Sequence, residues 1–204
     1  MKTYIQTIQI LQKLLISLSI FILLTIPILI SFLPELFSNG NYDYLYLASH
    51  ISLFLVMLVR PLADIVDRLK QDGSRNLIRP LVILRKGLGI FSASIIVSFM
   101  LSKIIINPYE FFSSFLTYKY WSLINYALLA HLADISAIAL LVTSNNLSKK
   151  ILGGWWKKIQ KLAYVYFYAS SLYVFLSYGD IKMAYFISTI TTTTFLAFII
   201  NSKK

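Results

Sequence analysis

Two ionisable residues, His131 and Asp134, lie in the middle of a long apolar run. They are three residues apart, so a helix through this run would carry both on one face. An ionised carboxylate at the centre of a bilayer costs about 2.5–3.5 kcal/mol or more unless it is paired or protonated. The spacing therefore predicts an intramembrane polar pair. Such a pair could be a proton relay, a site for a polar ligand such as a quinone head group, or a neutral hydrogen-bonded link between helices.

The chain has one other histidine, His50, which also lies in an apolar run. Because imidazole nitrogens ligate heme iron, His50 and His131 are candidate ligands of a heme b. Cysteine is absent, which excludes disulfides, thiolate metal sites and iron–sulfur clusters. The sequence contains no HExxH, P-loop or dinucleotide-binding pattern. It therefore predicts no catalytic residue and no metal site, and the leading expectation is a chain without a cofactor.

These residues must be positioned by helices that cross a membrane. The chain has 204 residues, of which 58% are hydrophobic and 13% are charged, and its mean hydropathy is +0.73. A soluble domain of this length cannot bury so much apolar surface. A spanning helix needs about 20 apolar residues. Six runs meet that need, which predicts an all-α integral membrane protein. We expect a single six-transmembrane-helix domain over residues 1–204. The predicted spans are 14–33, 44–66, 82–106, 121–142, 159–178 and 183–200.

Basic residues collect on one side of the predicted bundle. With six spans, only Lys103, Lys119 and Lys182 fall on one side, and the other 16 of the 19 Lys and Arg residues fall on the side of both termini. Cytoplasmic loops are rich in Lys and Arg, so both termini are predicted to be cytoplasmic. Membrane topology and anionic lipid then explain the net charge of +11 better than nucleic-acid binding does. The predicted location is a cell inner or plasma membrane, with the lipid bilayer as a partner.

Two segments outside the apolar runs carry further predictions. Residues 107–118 include Pro108 and are interpreted as a loop that could form a short helix on the membrane surface. At the end of the second span, Asp64 and Asp67 follow Arg60 by one and two helical turns. This spacing predicts a local ion pair, with an anionic headgroup or phosphate site at Arg60 as the alternative.

Several short motifs occur in a characteristic order along the chain. Residues 139–164 read ALLVTSNNLSKKILGGWWKKIQKLAY, and 60–62 and 85–89 read RPL and RKGLG. This order resembles the ferric reductase-like transmembrane family, and within it the heme-binding membrane subunits of bacterial periplasmic methionine sulfoxide reductase systems (the MsrQ or YedZ branch). The resemblance covers about residues 44–200. In the longest motif it is carried by Thr143, Ser144, Leu152, Gly153, Trp156 and Tyr164.

The resemblance implies a b-type heme bound by histidines of the third and fifth spans. At those positions this chain has Phe99, Gln160 and Tyr173. Phenylalanine cannot ligate iron, an amide is a poor ligand, and tyrosine binds ferric iron only as the phenolate. The resemblance therefore implies the family scaffold without its heme, with large tyrosine rings filling the space that the heme would take.

Three functions remain open at this point. The leading hypothesis is a heme-less structural or partner subunit of a membrane complex, beside another membrane protein or a periplasmic, outer-face protein. The second is an electron-transfer subunit of an oxidoreductase, with heme b in a rearranged site. The third is a small transporter or proton pathway that uses His131 and Asp134. In the leading hypothesis the chain is not a catalyst by itself.

Overall fold

The computed structural model describes residues 2–36, 41–69, 72–123 and 126–202, and these residues are mostly helical, without a β-strand. Two 3-10 turns, Pro34–Leu36 and Tyr118–Trp121, accompany the α-helices. The α-helices are α1 Lys2–Phe32, α2 Asn41–Leu69, α3 Asp72–Leu81, α4 Leu84–Ile106, α5 Pro108–Leu116, α6 Ala127–Thr143, α7 Asn146–Leu152, α8 Gly154–Gln160, α9 Leu162–Tyr178 and α10 Ile181–Ser202. The all-helical prediction is confirmed.

Among the described residues, 4 helical segments are long and apolar enough to cross a membrane, or 5 if α6 and α7 are taken as one span bent by 97°. The four are α1, α2, α10 and the stretch Gly73–Ile106 that includes α4. The two other predicted spans fall on α6 and α9, which have 17 residues each. A helix of that length covers about 26 Å, slightly less than the hydrocarbon core of about 30 Å. The chain is thus a multi-pass membrane protein by length and composition.

Two helices begin away from the predicted start of their spans. The first helix begins at Lys2 and so extends beyond the apolar run predicted at 14–33. The fourth begins at Ala127 rather than at residue 121. Tyr126 has a φ of 54°, a left-handed backbone conformation that cannot continue a right-handed helix, so Trp121 lies in the preceding 3-10 turn instead.

Helix α4 lies at the centre of the bundle, where it packs against α1, α2 and α6. On one side, Ile95 and Phe99 pack with Ile22, Ile26 and Ile30 of α1. A Cβ atom on Gly87 would lie only 3.2 Å from the carbonyl oxygen of Gln12, so the missing side chain allows α1 to approach closely. The second core cluster joins α2, α4, α6, α9 and α10 around Tyr166 and Phe167.

The outward faces of the long helices are apolar. On α1, Leu14, Phe21 and Leu24 are all more than half exposed, and on α10 so are Phe195 and Phe198. Exposed apolar surface of this extent fits contact with lipid. The predicted lipid partner therefore agrees with the surface of the bundle.

Local hydrogen bonds and ion pairs fix the short helices. The Asn107 side chain accepts a hydrogen bond from the backbone N–H of Glu110 at 3.1 Å, which caps α5 and confirms the predicted short helix. The predicted ion pair between Arg60 and Asp64 is present, at 3.2 Å. Asp67 binds Arg75 of α3 instead, at 3.0 Å, and so holds α3 against the end of α2.

Candidate functional site at the basic end of the bundle

Three buried hydroxyl groups meet in the core, one each from α2, α4 and α9. The Oγ atoms of Ser49 and Ser92 lie 2.9 Å apart, and the Tyr166 hydroxyl lies 3.0 Å from Ser92 Oγ and 3.4 Å from Ser49 Oγ. All three side chains have at most 1% of their surface exposed. We call Ser49, Ser92 and Tyr166 the hydroxyl cluster. Because each polar atom has a partner inside the apolar core, the cluster ties the three helices together.

A cavity of about 410 Å³ lies next to the hydroxyl cluster, and Tyr166 lines it. The cavity is at the end of the bundle where α2 ends and α4 begins, which we call the basic end. Its deeper wall is apolar and includes Leu53, Val56 and Leu140. Its mouth carries three cationic residues, Arg85, Lys86 and Lys149, and the polar residues Ser144, Asn145 and Gln160. We call this the basic cavity.

Arg85 is the cation most firmly built into the basic cavity. Its Nε donates a hydrogen bond to the carbonyl oxygen of Val56 at 2.9 Å, and the side chain is half-buried. In the part of the chain that the structure describes, no carboxylate lies within 4.0 Å of Arg85, Lys86 or Lys149. Among the described carboxylates at this end, Asp64 is paired with Arg60 and Asp67 with Arg75. Asp64 acts on Arg85 only at longer range, so the described side chains at the mouth of the cavity carry a net positive charge.

One wall of the basic cavity is built by side chains that converge on Thr143, the last residue of α6. The indole Nε1 of Trp156 donates a hydrogen bond to the Thr143 carbonyl at 2.9 Å, and Gln160 Nε2 donates to Thr143 Oγ1 at 3.3 Å. Lys149 Nζ lies over the Trp156 ring, 5.5 Å from its centroid. Thr143, Lys149 and Trp156, which are apart in the motif at 139–164, thus meet around one turn of backbone. They hold α8 against the end of α6.

The three positions at which the resembled family has histidines face different parts of the bundle. Phe99 is 5% exposed and stacks on Tyr46 with the ring centroids 4.6 Å apart. Gln160 is bonded to Thr143 at the basic end, and Tyr173 packs edge-on against Tyr178, with centroids 6.1 Å apart, at the opposite end. Phenylalanine has no atom that can ligate iron, and Gln160 is engaged with Thr143. The loss of heme from the family position stays a prediction.

No protein-family model matches the chain, and no curated protein or solved structure is significantly similar to it. The family resemblance therefore stays a prediction.

His131 and Asp134 lie one turn apart on α6, as the spacing predicted, but their surroundings differ. The His131 ring packs against Phe115 and Trp121, with centroids 4.5 Å and 5.3 Å away. Asp134 is half-buried and makes no such ring contact in the described structure, while Lys103 on α4 acts electrostatically on both residues. No hydrogen bond or ion pair between His131 and Asp134 occurs in the described structure. Their role as a polar pair stays a prediction.

His50 is a buried histidine on α2, 4% exposed. Its Nδ1 lies 2.9 Å from the backbone carbonyl of Tyr46, so Nδ1 carries the proton in this arrangement. Nε2 is buried without a hydrogen-bond partner in the described structure. The pairing of His50 with His131 as alternative heme ligands stays a prediction. No group of three or more His, Asp or Glu side chains in the described ranges forms a metal site.

The sequence did not single out the hydroxyl cluster. Serine is common in membrane helices, where its hydroxyl usually bonds the preceding turn of its own helix, and Tyr166 was interpreted only as part of a space-filling set of tyrosines. Arg85 and Lys149 were interpreted as topology signals. One sequence feature could have indicated the basic cavity. Arg85, Lys86 and Lys149 all fall at the predicted basic side, and no acidic residue lies beside them in sequence.

Proposed function

We propose that this chain is a six-span membrane protein, with both termini in the cytoplasm, that acts as a non-catalytic structural or partner subunit of a membrane complex. In this proposal it keeps a ferric reductase-like scaffold but binds no heme at the family position. The observation that carries the proposal is the surroundings of Phe99. Its ring is inserted between α1 and α2, against Ile22, Ile26 and Tyr46, where a side chain serves packing rather than ligation.

The arrangement of the helices supports six crossings. Helices α6 and α9 pack against each other and each packs against a longer span. Seventeen residues lie within the range of about 17–25 that transmembrane helices use. With six crossings, the Lys- and Arg-rich segments at Arg75–Arg85 and Lys149–Lys161 fall on the side of both termini.

The absorbance of the purified protein tests the absence of heme. The full chain is purified in mild detergent from cells that also produce a known b-type cytochrome, which shows that heme supply is sufficient. We expect no b-type α band in the reduced-minus-oxidised spectrum of the chain. A stoichiometric α band would refute the heme-free proposal. If that band were lost in His50→Ala or His131→Ala, the alternative of rearranged ligands would replace it.

A topology reporter tests the six crossings separately. A fluorescent protein that matures only in the cytoplasm is fused after Lys204, and in a second chain after Leu116 at the end of α5. We expect fluorescence from the first fusion and none from the second. A dark but stable fusion at Lys204 would contradict cytoplasmic termini, whatever the spectrum shows.

The size of the complex tests the role as a subunit. Native membranes are dissolved in a mild detergent and fractionated by mass, and the fraction that contains the chain is located with an epitope tag. We expect a particle substantially larger than the 23.4 kDa chain in its detergent micelle. Migration as the solitary chain would count against a partner subunit.

A further inference from the structure

We propose that the basic cavity binds the phosphate of an anionic amphipathic molecule, and that the occupant is an anionic phospholipid whose acyl chain enters the apolar part of the cavity. This inference uses the membrane location of the proposed function but not its family resemblance or its lack of heme. A heme band in the spectrum would leave it untouched.

Charge supplies the first argument. Arg85, Lys86 and Lys149 line one cavity, and no carboxylate lies within 4.0 Å of them in the described residues. Other arginines at this end show the contrast, since Arg60 and Arg75 are each paired with an aspartate. Asp64 acts on Arg85 only at longer range, because its carboxylate is bonded to Arg60. Three cations on one cavity without an ion-paired carboxylate indicate an anionic ligand.

The geometry of Arg85 supplies the second argument. Its Nε–H is used by the Val56 carbonyl at 2.9 Å, which fixes the direction of the side chain. The N–H groups at the tip of the guanidinium remain for a ligand, and an arginine oriented in this way suits the oxygens of a phosphate. The backbone contact also means that little conformational entropy is lost when the ligand binds.

The composition of the cavity favours an amphipathic ligand rather than a free anion. Beneath the cationic mouth, Leu53, Val56 and Leu140 form an apolar wall that inorganic phosphate would leave uncovered. A volume of about 410 Å³ is within the range of about 300–1,000 Å³ for ligand sites. It is large enough for a headgroup and the first part of an acyl chain. Trp155 and Trp156, beside this cavity in α8, are residues of the membrane–water interface.

Gly89 offers a position from which a side chain would enter the cavity that it lines. A Cβ atom on Gly89 would lie 3.9 Å from the nearest side-chain atom, Val56 Cγ2, which is ordinary van der Waals contact without overlap. Gly87, two residues earlier, is instead closely covered by Gln12. A larger side chain at 89 should fill the cavity without disturbing the contact between α1 and α4.

Native mass spectrometry of the full chain in detergent tests the proposal. The chain is titrated with phosphatidylglycerol, phosphatidylcholine, diacylglycerol and inorganic phosphate. We expect phosphatidylglycerol to bind with a stoichiometry of one at concentrations where the three others do not bind. Binding of inorganic phosphate at the same concentration would refute an amphipathic ligand. Equal binding of phosphatidylcholine or diacylglycerol would refute recognition by charge.

Neighbouring lysines provide matched variants. Lys149 lines the cavity and Lys150 does not, although both are exposed residues of α7. We expect the double variant Arg85→Gln/Lys149→Gln to bind phosphatidylglycerol about tenfold or more weakly, because charge-assisted hydrogen bonds are lost. The control double variant Arg85→Gln/Lys150→Gln should bind more tightly than Arg85→Gln/Lys149→Gln. The single variant Lys150→Gln should bind as the wild type does. Equal affinities for Lys149→Gln and Lys150→Gln would overturn the assignment of the site.

A variant that fills the cavity distinguishes a loss of lipid binding from a folding defect. Gly89→Leu retains every charge, and we expect it to weaken phosphatidylglycerol binding while the helix content measured by circular dichroism stays unchanged. Unchanged lipid affinity in a folded Gly89→Leu variant would overturn the proposal, because an occupant of the cavity cannot share its space with leucine.

Discussion

The two sides of α4 near the basic end differ in how closely they are covered. At Gly87, facing α1, a Cβ atom would lie 3.2 Å from a backbone oxygen and 3.3 Å from Leu15 Cβ. At Gly89, facing α2 and the basic cavity, the nearest atom would be 3.9 Å away. The same residue type thus serves two purposes within one helical turn. One glycine allows two helices to touch, and the other leaves space beside a group of cations.

The hydroxyl cluster lies where the packed core meets the cavity. Ser92 is one turn further along α4 than Gly89, and Tyr166 belongs both to the cluster and to the wall of the cavity. On the core side of Tyr166, hydroxyl groups bond to one another. On the cavity side, Arg85 and Lys149 have no acidic partner among the described residues. Polar atoms that are satisfied internally indicate a structural role, and uncompensated charges indicate a ligand.

The largest expected effect comes from exchanging the two glycines in turn for alanine. Both changes remove the same helical flexibility, so the difference between them reports packing alone. We expect Gly87→Ala to lower the free energy of unfolding by about 1–3 kcal/mol relative to Gly89→Ala, because the new methyl group would press on the backbone of α1. The measurement is unfolding of each variant in mixed detergent and SDS, followed by circular dichroism. Equal stabilities would mean that α1 and α4 are not closely packed in the folded protein.

A smaller effect is expected from Tyr166→Phe, which removes one hydroxyl and keeps the ring. Ser49 and Ser92 can still bond to each other at 2.9 Å. Only the hydrogen bonds of the tyrosine hydroxyl are therefore lost. We expect a loss of about 0.6–1.7 kcal/mol in unfolding free energy, the range for hydrogen bonds between membrane helices. Tyr168→Phe is the matched control, since Tyr168 bonds Thr191 Oγ1 at an exposed site, 3.1 Å away. A Tyr166→Phe loss no greater than that of the control would remove the contrast between core and surface.

The smallest effect is expected for coupling between His131 and Asp134, which lie on α6 away from both glycines. The imidazole packs on aromatic rings, and Lys103 acts electrostatically on both residues. Because no direct bond joins the two side chains in the described structure, we expect the double variant of His131→Leu and Asp134→Leu to show a coupling energy of about 0.5 kcal/mol or less, the lower end for neighbouring residues. A recovery of stability in the double variant that exceeds this margin would support the polar pair and the proton-relay hypothesis built on it.

The sequence by itself determined the class of the protein. Apolar runs of about 20 residues can only be buried in lipid, and a backbone in lipid must satisfy its own hydrogen bonds, so the helical membrane fold follows from composition and length. The same local reasoning predicted the Arg60–Asp64 pair, because residues four apart on a helix are neighbours. The loop that could form a short helix is α5 in the structure, where Asn107 caps the helix and Pro108 opens it.

Local patterns failed where the outcome depended on contacts between distant residues. Nothing near Tyr126 in sequence gave its left-handed backbone, which moved the start of α6 to Ala127. Asp67 was expected to pair within its own helix, but α3 folded back and brought Arg75 to it.

Only the tertiary structure decided which polar residues meet. Ser49 and Tyr166 are 117 positions apart, and Arg85 and Lys149 lie on helices separated by two others along the chain, yet each pair belongs to one site. Helical periodicity specifies which face of a helix a residue occupies, but the neighbour of that face depends on how the helices pack. The hydroxyl cluster and the basic cavity therefore emerge from the packing of α2, α4, α6 and α9, which the periodicity of any one helix cannot specify.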